Sequence, residues 1–229
     1  TGPNGMWWHP DGLRFWLVGG TKDGISEYSV DIPWTLPKDQ PTFVKSIDSN
    51  LIDGGREDTT PSGIVWKPDG TKVFVVGYDE DSIQQYAVTG SNNNFNIHAL
   101  KQEHEIPVLQ EETTPTGIQF TSDGSQMFVV GYTMDELVRY KLSKNWDIST
   151  ARFKESINIG TDSGETFPYL LHLSYDQNRL YIGGTAADEV QVFEFDESLY
   201  NHSSSLDRLN ISTNTDIYGN VDVYGKLTL

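Results

Sequence analysis

The residues best suited to chemistry in this sequence are carboxylates, which recur at fixed positions. Clustered carboxylates bind hard cations or attract a cationic partner, and two of them about 5–10 Å apart can cleave a glycosidic bond. The chain carries 33 acidic residues, but nothing in the sequence marks one pair. The recurring set is Asp23, Asp81, Asp135 and Asp188.

Other signatures of catalysis are missing from the sequence. It has no cysteine, and its five histidines lack the spacing of metal ligands. The arginines do not occupy equivalent repeat positions, and there is neither a Gly-x-Ser-x-Gly elbow nor a phosphate-binding loop. We therefore expect no catalytic, cofactor-binding or metal-binding residue and no enzyme activity. A calcium site at Asp79, Glu80 and Asp81 stays open as an alternative.

These carboxylates belong to a repeat of 53–58 residues that is present four times. Each copy opens with a proline, and an Asp follows eight residues later, with Gly after it in the first three copies. An apolar run ending in Gly comes next, then the recurring Asp, then an aromatic residue five positions on. The prolines are Pro3, Pro61, Pro115 and Pro168; the first Asp residues are Asp11, Asp69, Asp123 and Asp176; the aromatics are Tyr28, Tyr86, Tyr140 and Phe193.

Each repeat predicts four short antiparallel strands. The Asp-Gly pair suits a tight reversal, and a continuous apolar run such as 127–130 is typical of a strand covered on both faces. Repeated four-stranded units predict an all-β fold, a β-propeller of about four blades. The predicted propeller spans 1–210, and its ring could close within the chain. Its blades are about 3–58, 59–112, 113–165 and 166–210, with the last outer strand within 199–211 or supplied by another subunit.

Two tryptophans are predicted in the loops between third and fourth strands. Trp34 and Trp146 could stack on sugars, but a Trp in a repeated loop more often anchors the edge of a blade. Trp7, Trp8 and Trp66 fall on first strands and are predicted core residues.

The net charge of −17 is predicted to be unevenly distributed. Connections in such blades alternate between two faces, and most of the charge falls on one of them. A purely solubilising role is the favoured interpretation of this acidic face, and docking of a cationic partner or a weak cation site is the alternative. Its candidate residues are Asp79, Glu80, Asp81, Glu111, Glu112, Asp135, Glu136, Asp188 and Glu189.

The segment 211–229 departs from the repeat. Ile-Tyr-Gly at 217–219 is echoed by Val-Tyr-Gly at 223–225, and a β segment this short cannot bury its apolar side alone. It either packs on its own propeller or intertwines with copies of itself, and we favour the second. The candidate oligomerisation residues are Ile217, Val221, Val223 and Leu227.

The third repeat resembles a propeller repeat of bacteriophage virion proteins. It carries Pro-Thr-Gly-Ile at 115–118, Asp-Gly at 123–124, Val-Val-Gly at 129–131 and Trp-Asp-Ile-Ser-Thr-Ala at 146–151, and the C-terminal segment is similar to β stretches of trimeric tail fibres. The resemblance implies a non-enzymatic structural protein of a tail fibre or similar appendage, located on the virion. It also implies a homotrimer that contacts other virion proteins and a host surface glycan or protein.

Two other functions stay open at this stage. The same module could serve a secreted bacterial surface or extracellular-filament adhesion protein, or, less favoured, a propeller hydrolase. The acidic composition argues against a nucleic-acid partner, and no apolar run has the length of a membrane span.

Overall fold

The computed structural model describes residues 2–19, 24–37, 41–49, 52, 60–77, 81–108, 114–131, 133–160, 164–186, 190–194 and 207–209. The strands of this part form four antiparallel sheets, and each sheet takes four consecutive strands in chain order. Blade 1 has β1 (Gly5–Trp8), β2 (Arg14–Gly19), β3 (Gly24–Ser29) and β4 (Thr42–Asp48). Blade 2 has β5 (Pro61–Trp66), β6 (Lys72–Gly77), β7 (Ser82–Val88) and β8 (Leu100–Pro107). Blade 3 has β9 (Pro115–Phe120), β10 (Gln126–Gly131), β11 (Glu136–Leu142) and β12 (Ala151–Asn158). Blade 4 has β13 (Pro168–Leu173), β14 (Arg179–Gly184), β15 (Val190–Glu194) and β16 (Asp207–Leu209).

The predicted fold is confirmed: the chain is an all-β propeller of four four-stranded blades. The outer strand of blade 4, β16, pairs with β15 of the same chain and lies inside the predicted window 199–211. In the part of the chain that the structure describes, no helix is long and apolar enough to cross a membrane.

The turn between the first two strands of each blade follows from its Asp. That carboxylate accepts the backbone N–H two residues on, as Asp123 Oδ1 does from Ser125 at 2.9 Å. Gly124 then takes a φ of +73°, a region that costs a residue with a Cβ more than it costs glycine. The fourth turn carries Gln177 at this point, also at positive φ.

Successive blades are joined along their first strands. β1 packs on β5, β5 on β9 and β9 on β13, so these strands form the inner edge of the arc. The Thr116 hydroxyl spans one joint, donating to Pro168 O at 2.5 Å, and Ser62 donates to Pro115 O at 2.7 Å in the same way. The joints between blades 2 and 3 and between blades 3 and 4 therefore each combine a buried hydrogen bond with apolar packing.

The core lies between blades rather than within them. Three apolar clusters fill the joints between blades 1 and 2, 2 and 3, and 3 and 4. Blades 2 and 3 are covered on both faces, which accounts for their continuously buried strands, such as β5 and β6.

The ring does not close among the described residues. Extensive packing joins neighbouring blades in chain order, and none of comparable extent joins blade 4 back to blade 1. The side chain of Met6 is accordingly 52% exposed, whereas Ile64 and Ile118 at the equivalent positions are each 4% exposed. The four blades form an open arc.

Candidate functional site

Two of the recurring Asp residues, in equivalent turns of the acidic face, lie within the described residues. Asp81 and Asp135 occupy the turns between the second and third strands of blades 2 and 3, with φ of 45° and 56°. Their carbonyl oxygens accept the N–H groups of Val108 and Ile159 at 2.9 and 2.6 Å. Asp tolerates this left-handed conformation better than most residues, so the backbone alone explains part of the repeat. Of the other candidates, Glu136 opens β11 and is half-buried, and Asp79, Glu80, Glu111, Glu112, Asp188 and Glu189 lie outside the described residues.

Glu165 is a fully buried carboxylate beside the inner edge of the arc. It lies three residues before Pro168, where β13 begins, and its Oε1 accepts the N–H groups of Phe167 at 2.8 Å and Ala186 at 3.1 Å. Gly184 makes room for it, because a Cβ there would lie 2.3 Å from the Glu165 carboxyl carbon. Glu165 thus ties the entry of blade 4 to the next turn of that blade.

Asp135 lies near Glu165 at the joint between blades 3 and 4. Gly160 lies between them: a Cβ there would be 3.0 Å from Asp135 Oδ2 and 3.3 Å from Glu165 O. Burial raises the pKa of Asp135 above its ordinary value, and the neighbouring charge of Glu165 raises it further. Asp135 Oδ1 is buried and has no hydrogen-bond partner within the described residues.

This arrangement suits proton transfer. A carboxyl group whose pKa is raised by burial and by a second carboxylate moves toward the range in which it can act as a general base or acid. A buried oxygen without a protein donor is unusual and is typical of groups that meet a ligand or water. Among the described residues, no three His, Cys, Asp or Glu side chains are grouped as metal ligands, and the calcium candidate at 79–81 is described only at Asp81.

Asp147 is another carboxylate with a shifted pKa, and its role is structural. It caps the 3-10 helix Ile148–Thr150, accepting from the Ser149 hydroxyl at 2.5 Å and from Lys144 Nζ at 2.9 Å. Burial alone would raise the pKa of Asp147, but these hydrogen bonds and the charge of Lys144 lower it from 3.8 to about 2.

Replacing Asp147 with asparagine tests this cap. Because the folded pKa lies below the unfolded one, the charge stabilises the native state above pH 4 by about 2 kcal/mol, and this contribution is lost as the pH falls toward 2. Asparagine keeps the capping geometry but not the charge. Urea unfolding should show D147N less stable at pH 7 and the gap closing between pH 4 and 2. A gap of constant size over that interval would contradict the assignment.

The loop tryptophans anchor the blades. Trp146 is 8% exposed and stacks on Phe120 at 5.0 Å between ring centroids, while its ring covers Gly124. Trp34 covers Gly12 in the same manner and lies 5.4 Å from Trp8, but it is 59% exposed. The anchor interpretation therefore fits both, and Trp34 has in addition an uncovered ring face.

The predicted oligomerisation residues Ile217, Val221, Val223 and Leu227 lie outside the described residues. The homotrimer, the virion location and the contacts with virion proteins or host glycans stay predictions.

Comparisons with solved proteins agree with the β-propeller fold. No protein-family model and no curated protein matches the sequence. A solved "putative 6-phosphogluconolactonase" of Bacteroides fragilis matches with a TM-score of 0.60 and 11% identity over 89% of this chain and 52% of its own. The periplasmic gluconolactonase of Pseudomonas aeruginosa matches with a TM-score of 0.54 and 15% identity, over 85% of this chain and 50% of its own. A functionally unknown protein of Desulfotomaculum acetoxidans matches with a TM-score of 0.59 and 16% identity, over 92% of this chain and 56% of its own.

The chain spans about half the length of these solved proteins. Identities this low establish the shared fold and leave the activity to be proposed.

The expectation of no enzyme activity is wrong as a conclusion from the sequence. The expectation was based on the missing motifs of catalysis, yet solved proteins named as lactonases share this fold. Asp135 repeats in register with Asp81, yet it has a raised pKa and lies near the buried Glu165.

Glu165 is not among the candidate residues that the sequence indicates. One signal could have found it: an acidic residue stands three positions before the opening proline of repeats two, three and four. These residues are Asp58, Glu112 and Glu165.

Proposed function

We propose that this chain is part of a propeller hydrolase that opens uncharged sugar lactones, with Asp135 as general base. The observation that carries the proposal is the Asp135 carboxyl group at the joint of blades 3 and 4, with one buried oxygen that lacks a hydrogen-bond partner among the described residues and with the charge of Glu165 nearby. The likeness to proteins named as gluconolactonases supports the reaction class.

The chemistry requires only water and one base. Ionised Asp135 takes a proton from water as the water oxygen attacks the lactone carbonyl carbon. The bond between that carbon and the ring oxygen then breaks, and the proton passes from Asp135 to the leaving oxygen. The product is the open hydroxy acid, and the carboxylate is restored.

Charge on the acidic face selects among lactones. Asp81, Asp135, Glu136 and Glu165 lie on the same side of the arc, so a phosphorylated substrate would meet like charges there. A neutral lactone meets no such repulsion. We therefore infer a preference for unphosphorylated lactones, although one of the matched structures is named for the phosphorylated one.

Acid release from two substrates tests the proposal. With D-glucono-1,5-lactone the chain should accelerate acid release over the rate in buffer. The value of kcat/KM for the 6-phosphorylated lactone should be lower by at least about tenfold. The difference should shrink as ionic strength rises, because salt screens surface charge. A preference for the phosphorylated lactone would overturn the assigned substrate, and no acceleration with either lactone would overturn the hydrolase.

A further inference from the structure

Exposed apolar side chains concentrate on the two end blades of the arc. Among the described residues, blade 1 has seven exposed large hydrophobic side chains and blade 4 has five. Blade 3 has two, and blade 2 has none. Single exposed hydrophobics are ordinary, but a contiguous set marks an interaction surface. Those of blade 1 are Met6, Leu13, Ile32, Trp34, Leu36, Phe43 and Val44; those of blade 4 are Phe167, Tyr169, Leu170, Tyr175 and Val190.

The free face of blade 1 has the composition of an inter-blade core. A row of aromatic rings crosses it, with centroid separations of 5.4 Å for Trp34–Trp8, 4.8 Å for Trp8–Phe15, 5.3 Å for Phe15–Tyr28 and 5.7 Å for Tyr28–Phe43. Repeat register places this row on the side that blades 2 and 3 turn toward the preceding blade.

The same positions are covered wherever a preceding blade exists. Phe95 and Trp146, the counterparts of Trp34, are 7% and 8% exposed, against 59% for Trp34. Blade 1 supplies the cover for Phe95, since Trp7 and Trp16 lie 5.9 and 5.5 Å from its ring. Blade 2 covers Trp146 with Phe74, at 6.0 Å. The row on blade 1 is thus a joint surface that no blade among the described residues covers.

The free face of blade 4 is the opposite half of such a joint. Leu170 and Val190 are 55% and 54% exposed, and strand pairing puts His172, Tyr181 and Val192 on the same side. This is the side that blades 1 to 3 turn toward the next blade, so the two free faces correspond to the two halves of one internal joint.

Leu170 makes this face differ from the internal ones. The equivalent residues are Gly5, Gly63 and Gly117, and a Cβ at Gly63 would already lie 3.2 Å from Thr116 O and 3.3 Å from Gly117 Cα in the next blade. A blade packed on blade 4 at the usual spacing would collide with the Leu170 side chain. The joint made here must be wider, and long side chains such as Met6 and Trp8 can fill that width.

We propose that a second copy of this chain closes the arc head to tail, with blade 1 of each copy on blade 4 of the other. The free faces of blade 1 and blade 4 are the two opposite halves of a joint. When two copies are related by a two-fold rotation about the propeller axis, each free face is therefore covered by the complementary face of the other copy. The chain spans about half of the solved propellers that it matches, and two copies of four blades make a ring of eight. Eight blades lie within the range that propellers adopt.

Register predicts which residues meet across the joint. Gly117 of blade 3 lies against Leu171 of blade 4, with 3.2 Å between a Cβ at Gly117 and that of Leu171. The counterparts at the free ends are Leu170 and Met6. Leu170 of one copy therefore contacts Met6 of the other.

Light scattering on size-exclusion fractions tests the pairing with two opposite charges. Wild type should be a dimer, and Met6→Glu or Leu170→Arg should each weaken it by at least about tenfold, because each buries a charge at both joints. An equimolar mixture of M6E and L170R should recover the dimer, since it restores one native joint and pairs Glu with Arg at the other. Phe153→Glu, at an exposed apolar site of blade 3, is the matched control and should remain dimeric.

Three outcomes would overturn the proposal. These are a monomeric wild type, failure of the mixture to dimerise while both variants keep wild-type circular dichroism, and a trimer that falls to monomer when 211–229 is deleted. Under the proposed closure the dimer survives that deletion. None of these readouts depends on hydrolysis.

Discussion

Replacing Gly124 with alanine is expected to lower the free energy of unfolding by about 2–5 kcal/mol. Two costs add at this position. The backbone φ of +73° is unfavourable for any residue with a Cβ, and the new methyl group would lie 2.3 Å from the Trp146 ring. That ring cannot withdraw easily, because it packs between Phe74 and Phe120 in the core of the joint between blades 2 and 3.

Gly164→Ala provides the matched control. Gly164 has φ of +75°, nearly the same as Gly124, but nothing lies within 4 Å of its added Cβ. The Gly164→Ala substitution should therefore lower the free energy of unfolding only by the cost of the backbone conformation, about 1–2 kcal/mol. Urea unfolding of the two variants measures the difference, which is the contribution of the ring on the glycine. Equal losses would show that the stacking of Trp146 on Gly124 has no energetic weight.

Much of the fold could be predicted from the sequence because local and repeated signals coincide. The Asp-Gly turn at 123–124 is local, since the Asp carboxylate and the glycine conformation act within four residues. The apolar run at β10 indicates cover on both faces, and the structure places blades 2 and 4 on its two sides. The anchoring role of Trp146 follows from its repetition with Phe95 and Trp34.

The candidate site was harder to predict, because it depends on a contact between two loops. Asp135 and Glu165 are 30 residues apart and belong to different connections, so no motif links them. The repeat register predicts that both residues lie on the acidic face. It does not predict that Gly160 leaves room for their approach or that Asp135 Oδ1 is buried. The open arc was equally hidden, since Met6 occupies the same repeat position as the buried Ile64 and Ile118.

Replacing Asp135 with asparagine is expected to lower kcat for lactone opening by about 10²–10⁴-fold. Asparagine has nearly the same shape and also tolerates the left-handed backbone at φ 56°, so the turn and its hydrogen bond to Ile159 N should persist. What the variant loses is the ability to accept a proton. Its free energy of unfolding should be unchanged or slightly higher, because the repulsion between Asp135 and Glu165 is removed.

Asp81→Asn is the matched control for this variant. Asp81 holds the same turn position in blade 2, with φ of 45°, and makes the equivalent backbone hydrogen bond to Val108 N. It should keep wild-type turnover. The wild-type rate should also fall on acidification at a pH above the ordinary 3.8 of an Asp, because the pKa of Asp135 is raised and only its ionised form accepts a proton.

The most direct test of a hydrolase at Asp135 is the rate of acid release from D-glucono-1,5-lactone, measured side by side for the wild type, D135N and D81N. The geometry predicts catalysis above the buffer rate for the wild type and D81N, and a rate close to buffer for D135N. If D135N hydrolyses the lactone as fast as the wild type, or if the wild type does no better than buffer, the assignment of Asp135 is contradicted.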